Sequence, residues 1–380
     1  MQLVLSEDQE LVAKTAADFV AERAPLARVR ALRDAKDPVG FSRALWKEMA
    51  ELGWVGIPFP ESVGGAGLGL ADLAVVLEAL GRTLAPEPFL STVLLGGRAL
   101  ARAASEAQRG AWLPKVVAGD AILALAHQEP RARFDLRRVA TRAERAGSGW
   151  RLRGEKIQVL DGHVADAIVV PARTAGAERD ASGITLFLVP RGAKGVEAVP
   201  QTRIDHRNAA LLRLGGVEVG PADVVGEVDG GGDVLEAVVD DATAGLCAEM
   251  LGGMARAFET TLEHLRTRVQ FGVPIGSFQA LKHRAANCFM EIELARSCVL
   301  AATRALDAGD AEARRLVSLA KARCSDGFVL VANEGVQMFG GVGMTDEYDI
   351  GFYLKRARAA ELTFGDAAFH RDRWARLGGY

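Results

Sequence analysis

Two stretches in the last third of the sequence carry residue types suited to gripping a ligand. The first is Arg268-Val269-Gln270-Phe271-Gly272-Val273-Pro274-Ile275-Gly276-Ser277-Phe278-Gln279. A long helical run ends at its glycine, a proline sits in the loop, and a new helix is predicted to start near Phe278. The arginine offers a planar fork of N–H donors that matches a pyrophosphate. The second stretch is Gln337-Met338-Phe339-Gly340-Gly341-Val342-Gly343-Met344-Thr345-Asp346-Glu347-Tyr348. Paired glycines let a ligand approach the backbone closely, with the Gln337 amide beside them. Taken alone, each stretch also reads as a helix end followed by a turn.

Other chemistry is poorly represented. The glycine-rich run Pro58–Gly69 lacks the Gly-Lys-Ser/Thr ending of a phosphate loop and is read as a structural turn. His127 and His163 flank expected strands without metal-like spacing, and His206, His264, His283 and His370 read as surface or packing residues. Cys247, Cys288, Cys298 and Cys324 show no CxxC spacing, so they are expected to be core thiols in a reducing compartment. No metal site and no Ser-His-Asp arrangement is expected.

The elements that must position these residues change character along the chain. Ser6 and Gln9 form a capping-box pattern ahead of the apolar positions Leu11, Val12, Ala16, Phe19 and Val20. Further helices are predicted over 42–52 and 71–84, with two more between Phe89 and Ala118. From Gly119 to about Gly226 short apolar runs at 121–126, 150–152, 167–170, 184–189 and 211–219 predict strands of a small antiparallel barrel or sandwich. Beyond Gly230-Gly231-Gly232, Leu235, Val238, Ala242, Leu246, Met250, Met254, Phe258, Leu262 and Leu265 recur at helical spacing, predicting one helix through about Gln270. Helices over 279–306, 311–339 and 350–362 complete a four-helix bundle. The expected fold is mainly α with a β-domain: helical over 1–118, a β-barrel or sandwich over 119–226, and a helical bundle over 227–380.

Composition narrows the function classes. The 380 residues are 49% hydrophobic and 25% charged, ordinary for a globular protein, and the net charge of −3 shows no basic face for nucleic acid. No apolar run approaches a membrane span, and the N-terminus has no basic segment followed by an apolar run. A cytoplasmic protein with no membrane partner is expected.

Taken in order, Arg-x-x-Phe-Gly-x-Pro-Ile followed by Gln-x-x-Gly-Gly-x-Gly resembles the acyl-CoA dehydrogenase family. The likeness extends to Leu5-Ser6-Glu7, Leu52-Gly53-Trp54, Pro60-Glu61-Ser62-Val63-Gly64-Gly65 and Gln128-Glu129-Pro130, nearly the whole chain. It implies the same three-part fold, FAD as cofactor, an acyl-CoA substrate and electron-transfer flavoprotein as electron acceptor. It also implies that Arg268 meets the FAD pyrophosphate with Phe271 nearby, while Gln279, Gln337, Gly340 and Gly341 line the adenosine end, largely for a neighbouring subunit's FAD.

The reaction of that family removes an α-proton from a weak carbon acid, so it needs a carboxylate base in a dry pocket. The resemblance places this glutamate at Phe364, in Leu362-Thr363-Phe364-Gly365-Asp366, where no proton can be accepted. A branch of the family places its base at the position of Ala242. Asp241 beside it, at the edge of the apolar stripe, is the candidate base, and Asp240 is expected to be solvated. Gln158-Val159-Leu160 stands where the family often has Trp-x-Thr, Phe134 replaces a serine, and Gln128 replaces a threonine that bonds the flavin ring. Residues facing a neighbour's ADP moiety are kept while those serving the ring and substrate are changed. The expectation is a base-deficient subunit of a heterotetramer, completing the FAD site of a homologous large subunit. The closing sequence is similar to the small subunit of pimeloyl-CoA dehydrogenase and to subunits of heteromeric steroid-CoA dehydrogenases. A homotetramer using Asp241 or Glu361 as base, and a non-catalytic acyl-CoA-binding scaffold, are the alternatives.

Overall fold

The computed structural model describes residues 4–380. In chain order the helices are α1 (Glu7–Arg23), α2 (Leu26–Ala35), α3 (Arg43–Glu51), α4 (Leu70–Arg82), α5 (Arg98–Ala103), α6 (Glu106–Val117), α7 (Gly231–Thr267), α8 (Gln279–Asp307), α9 (Ala313–Phe339), α10 (Ile350–Leu362) and α11 (Ala367–Leu377). The strands are β1 (Leu123–Leu125), β2 (Arg142–Ala146), β3 (Gly149–Leu160), β4 (Ala167–Arg173), β5 (Ile184–Pro190), β6 (Val196–Gln201), β7 (Ala209–Val219), β8 (Val224–Val225), β9 (Val269–Gln270) and β10 (Val273–Pro274).

One compact unit comprises Met1–Ala35, Gly69–Ala85 and Thr243–Tyr380. Its first helix begins as the capping box foretells, with Ser6 Oγ accepting from the Gln9 amide and the Gln9 side chain accepting from Ser6 N. Gln9 Nε2 then donates to Asp72 at 2.9 Å, tying α1 to α4. The start of α4 is capped from afar. Gly69 has no side chain to offer, and the carboxylate of Asp307, the last residue of α8, accepts from Leu70 N at 2.6 Å and Ala71 N at 2.8 Å. Contact between α4 and α7 depends on glycine at two places. A Cβ on Gly81 would lie 2.0 Å from Glu249 O, and one on Gly252 would lie 1.9 Å from Glu78 O. The pairs Arg284–Glu334 and Arg323–Glu291, each at 2.7 Å, set α8 and α9 antiparallel. Arg356 of α10 meets Glu249 of α7 at 2.7 Å, with both side chains buried.

The other unit comprises Lys36–Leu68 and Pro86–Ala242. Its eight-stranded sheet runs β6-β7-β3-β2-β4-β5-β8, with β1 beside β4. Most pairings are antiparallel, but β1 and β4 run parallel, as do β2 and β4 at Arg142 and Arg173. β4 is buried along its whole length, and its residues up to Ala172 read as a continuous apolar run before the buried Arg173. A buried ion pair crosses its interior. Lys156 Nζ donates to Glu129 at 2.6 Å and to Pro171 O, and Glu129 also accepts from Ala140 N, Thr141 N and the Thr141 hydroxyl. Burial alone would push the Glu129 carboxyl up, but Lys156 beside it brings it below its ordinary value.

Several elements depart from expectation. The helices α2 and α11 and the strands β2, β6 and β8 lie outside the expected elements; β2 is largely polar, and β8 is only two residues long. Residues Phe89–Gly97 form a π-helix rather than an α-helix, with all nine residues buried and so no amphipathic period to read. The long helix ends at Thr267, and the residues beyond it form the β9-β10 hairpin.

Candidate functional site

The six residues expected to hold a dinucleotide gather at one end of the helical bundle. α7 stops at Thr267, where the hydroxyl donates back to Glu263 O at 2.9 Å and Arg268 N donates to His264 O at 2.9 Å. The hairpin that follows turns in two residues, Phe271 at φ +54° and Gly272 at φ +80°. Positive φ at both central positions is a primed turn, which matches the twist of its strands but ordinarily excludes an aromatic from the first position. Phe271 is 91% exposed, and its only ring neighbour among the described residues is Phe278, edge-on at 6.0 Å. Gln279 opens α8 beside this hairpin, its amide 3.0 Å from His283 Nε2.

Because α8 and α9 are antiparallel, the start of α8 lies by the end of α9, where the second motif stands. α9 ends at Phe339, and Gly340 takes φ +69° with ψ −149°, a conformation open essentially to glycine alone. No heavy atom would come within 4 Å of a Cβ on Gly340 or Gly341, so their backbone faces open space. An aromatic cluster joins the two motifs. The His264 ring stacks on Phe339 at 4.0 Å, and Tyr348 meets both edge-on at 6.1 and 5.4 Å. Burial, then the nearby Arg268, lowers the His264 pKa, favouring the neutral ring in that stack. Beyond the glycines, the loop is pinned by Arg33, which holds Asp346 with two N–H bonds at 2.7 Å, and by Arg30, bonded to Asp346 and Asp349. Arg33 and then Arg30 hold the Asp346 carboxyl down at about 2.

What this end offers is unusually free of internal partners. Arg268, Phe271, Gln279, Gln337, Gly340 and Gly341 are all exposed. The Arg268 guanidinium makes no hydrogen bond or ion pair among the described residues. An arginine fork, an aromatic, two amides and bare glycine backbone are a donor set that fits the pyrophosphate and adenosine of a dinucleotide.

The segment holding Phe364 is built in the opposite way. Phe364 sits at φ +62° and Gly365 at φ +121°. A Cβ on Gly365 would lie 2.5 Å from the Phe369 ring and 2.7 Å from His370 Nε2, so glycine is required. Lys321, 0% exposed, donates to Ser325 Oγ at 2.9 Å, Glu361 O at 3.0 Å and Gly365 O at 2.7 Å. Burial pushes its ammonium down to about 8. His370 is held neutral, its pKa pushed down to about 3 by burial and then by Lys321, and its Nε2–H donates to Phe364 O at 3.1 Å. Neither residue was singled out for this role from sequence, since a lysine and a histidine on helices read as solvated or packing residues. The alternative acid Glu361 lies 2.8 Å from Arg358 on the same helix.

Asp241 also differs from expectation. Its side chain is 1% exposed, and its oxygens accept from Arg98 Nε at 2.9 Å and from Arg102 Nε and Nη2 at 2.8–3.1 Å. Both of its oxygens are engaged by the two guanidinium groups in a buried cluster. Asp240 is buried rather than solvated, because α7 is buried on all sides from Val238 to Ala255. Gln158, in the run that replaces Trp-x-Thr, sits at φ +53° within an irregularity of β3. The Gln128 carbonyl accepts from Ile157 N at 2.9 Å.

The fold and this site define a class. Residues 6–120, 124–213 and 229–378 match the N-terminal, middle and C-terminal domains of acyl-CoA dehydrogenases. The chain belongs to the acyl-CoA dehydrogenase family, and is thereby an FAD-dependent oxidoreductase. Among relatives, it is 31% identical to the mitochondrial isovaleryl-CoA dehydrogenase of Pongo abelii over 97% of this chain and 88% of that one. It is 33% identical to the acyl-CoA dehydrogenase IpdE2 of Mycobacterium tuberculosis over 93% of this chain and 92% of that one. Among solved structures, it resembles the ChsE4-ChsE5 complex from Mycobacterium tuberculosis at 31% identity and TM-score 0.90, covering 100% of this chain and 99% of that one. No helix among the described residues is long and apolar enough to cross a membrane.

Proposed function

We propose that this chain is the base-deficient subunit of a heteromeric, cytoplasmic acyl-CoA dehydrogenase that desaturates the α,β bond of a bulky or dicarboxylic acyl-CoA. The observation that carries the reading is the pairing of a fully built loop at 361–365, whose side chain is Phe364, with an exposed surface at the bundle end where the Arg268 guanidinium has no partner among the described residues. The heteromeric ChsE4-ChsE5 neighbour supports it. So does the likeness of the closing sequence to the small subunit of pimeloyl-CoA dehydrogenase. The segments 1–118, 119–226 and 227–380 are the domains of this reading.

When bound, FAD would supply the acceptor for the hydride that leaves the β-carbon, and electron-transfer flavoprotein would be the acceptor of its electrons. In this chain Arg268 would hold the pyrophosphate through its fork, and Gln279, Gln337 and the Gly340-Gly341 backbone would hold the adenosine. Phe271 would pack against the nucleotide with its already exposed ring. The α-proton would go to a carboxylate on the homologous large subunit, because Phe364 has no lone pair to receive it.

The FAD-to-protein ratio, by absorbance after denaturation, tests this for the chain alone and for the chain co-expressed with its genomic neighbour. Little flavin alone but about one per heterodimer is the expected result. One FAD per chain alone, bleached by acyl-CoA, would replace the heteromer by a self-sufficient homotetramer. No flavin in either preparation would leave an acyl-CoA-binding scaffold.

A further inference from the structure

We infer that Arg98, Arg102 and Asp241 form a subsite for a small oxyanion, a carboxylate or phosphate group, with Asp241 as its built-in counter-charge. The arginines stand four residues apart on α5, on one face of a helix only six residues long. Two guanidinium groups so placed repel, and the buried Asp241 carboxylate sits between them with bonds to both. One carboxylate cancels one of the two charges. Neither arginine has a second acidic partner among the described residues, so one positive charge is left over.

The donors left over point the same way. A guanidinium has five N–H groups. Arg98 spends Nε on Asp241 and Nη1 on Pro58 O, and Arg102 spends Nε and Nη2 on Asp241. Arg98 Nη2 and Arg102 Nη1 bond nothing among the described residues, and the two side chains are 25% and 36% exposed. A structural tie between α5 and α7 needs only one arginine. The second adds repulsion that an incoming oxyanion relieves by sharing both forks.

This inference rests on the acyl-CoA reading for one of two sources of the oxyanion. Either the far end of a dicarboxylic acyl chain supplies a carboxylate, or a free phosphate does. Titration calorimetry on the full chain co-purified with its partner and FAD separates them, with pimeloyl-CoA, heptanoyl-CoA and inorganic phosphate as probes. The expected result is that pimeloyl-CoA binds more tightly than heptanoyl-CoA and that Arg102→Gln removes this preference, weakening pimeloyl-CoA by about tenfold while leaving heptanoyl-CoA unchanged. Asp241→Asn is expected to act in the opposite direction and tighten pimeloyl-CoA, because the carboxylate that shields the arginines is gone. Arg102→Lys, which keeps the charge without the fork, guards against a folding defect in Arg102→Gln. Phosphate binding that is lost in Arg102→Gln, with the two esters binding alike, would support the subsite and assign it to a free anion. Failure of both esters to bind would remove the acyl-CoA reading and leave the phosphate titration to decide the subsite. Equal affinity for the two esters in wild type and Arg102→Gln, with no phosphate binding, would overturn the subsite.

Discussion

The bundle end around Gly340 and the loop around Phe364 lie in the same unit, follow the ends of neighbouring helices, and both contain glycine at positive φ, yet they are built for opposite conditions. At the bundle end the Arg268 guanidinium has no partner among the described residues, Phe271 is solvent-facing, and the Gly340-Gly341 backbone looks into open space. In the loop, the carbonyls of Glu361, Phe364 and Gly365 are all claimed by buried Lys321 or His370, and a Cβ on Gly365 has nowhere to go. A surface with unmet donors is stable in water and gains when something else supplies the acceptors. A buried loop must satisfy itself, because an unmet carbonyl in the interior costs about 1–3 kcal/mol. The loop backbone is therefore held through its carbonyls, while the bundle end presents an arginine fork that makes no bond among the described residues.

The largest effect is expected from Lys321→Met. It fills the space but strips three acceptors of their donor, and should cost about 3–5 kcal/mol by urea denaturation. A loss under about 1 kcal/mol would mean that the loop is not held as described and the contrast with the bundle end fails.

Next comes pH. His370 has a folded pKa of about 3, far below its unfolded value near 6.5, so the unfolded chain binds the extra proton between those limits. Its share of stability is complete above pH 6.5 and drains as pH falls toward 3, at up to about 1.4 kcal/mol per pH unit. Urea midpoints measured across that window should fall less steeply for His370→Phe than for wild type. Parallel curves would show that His370 is not the buried neutral donor to Phe364 O.

Arg268→Ala should leave stability within about 0.5 kcal/mol, since its guanidinium makes no bond among the described residues. In the assembled enzyme it should weaken FAD retention by about tenfold or more. Destabilisation without flavin loss would turn the bundle end into ordinary structure and erase the contrast.

The smallest effect is expected at the hairpin tip. Phe271→Asn suits the primed turn and removes an exposed ring, so it should raise stability by about 0.5–1 kcal/mol while lowering FAD retention. A gain in both would show that the strained aromatic has no ligand to serve.

Much of the bundle was legible because a half-buried helix writes its period into the sequence. The run 350–362 coincides with α10, and 279–306 differs from α8 by one residue at its end. That logic fails where burial is one-sided in neither sense. Asp240 and Asp241 were placed relative to an apolar stripe, but the helix is buried all round there, so a stripe edge has no meaning. Strand β2 is largely exposed and polar, and β6 has no fully buried residue, so neither shows a clear apolar alternation. The π-helix is apolar throughout and carries no period.

By itself the sequence determined which residue types stand at the two motifs, the glycines that allow Gly272 and Gly340 their conformations, and the absence of a carboxylate at 364. Those are properties of single positions or of short spacing. Only the tertiary structure decided that Gln279, Arg268 and Gly340 share one end of a bundle, because antiparallel packing of α8 on α9 joins residues far apart in the chain. The same holds for Asp241 between two arginines and for Lys321 beneath the loop. Ion pairing and carbonyl capping depend on distances of about 3 Å between side chains whose sequence separations carry no signal.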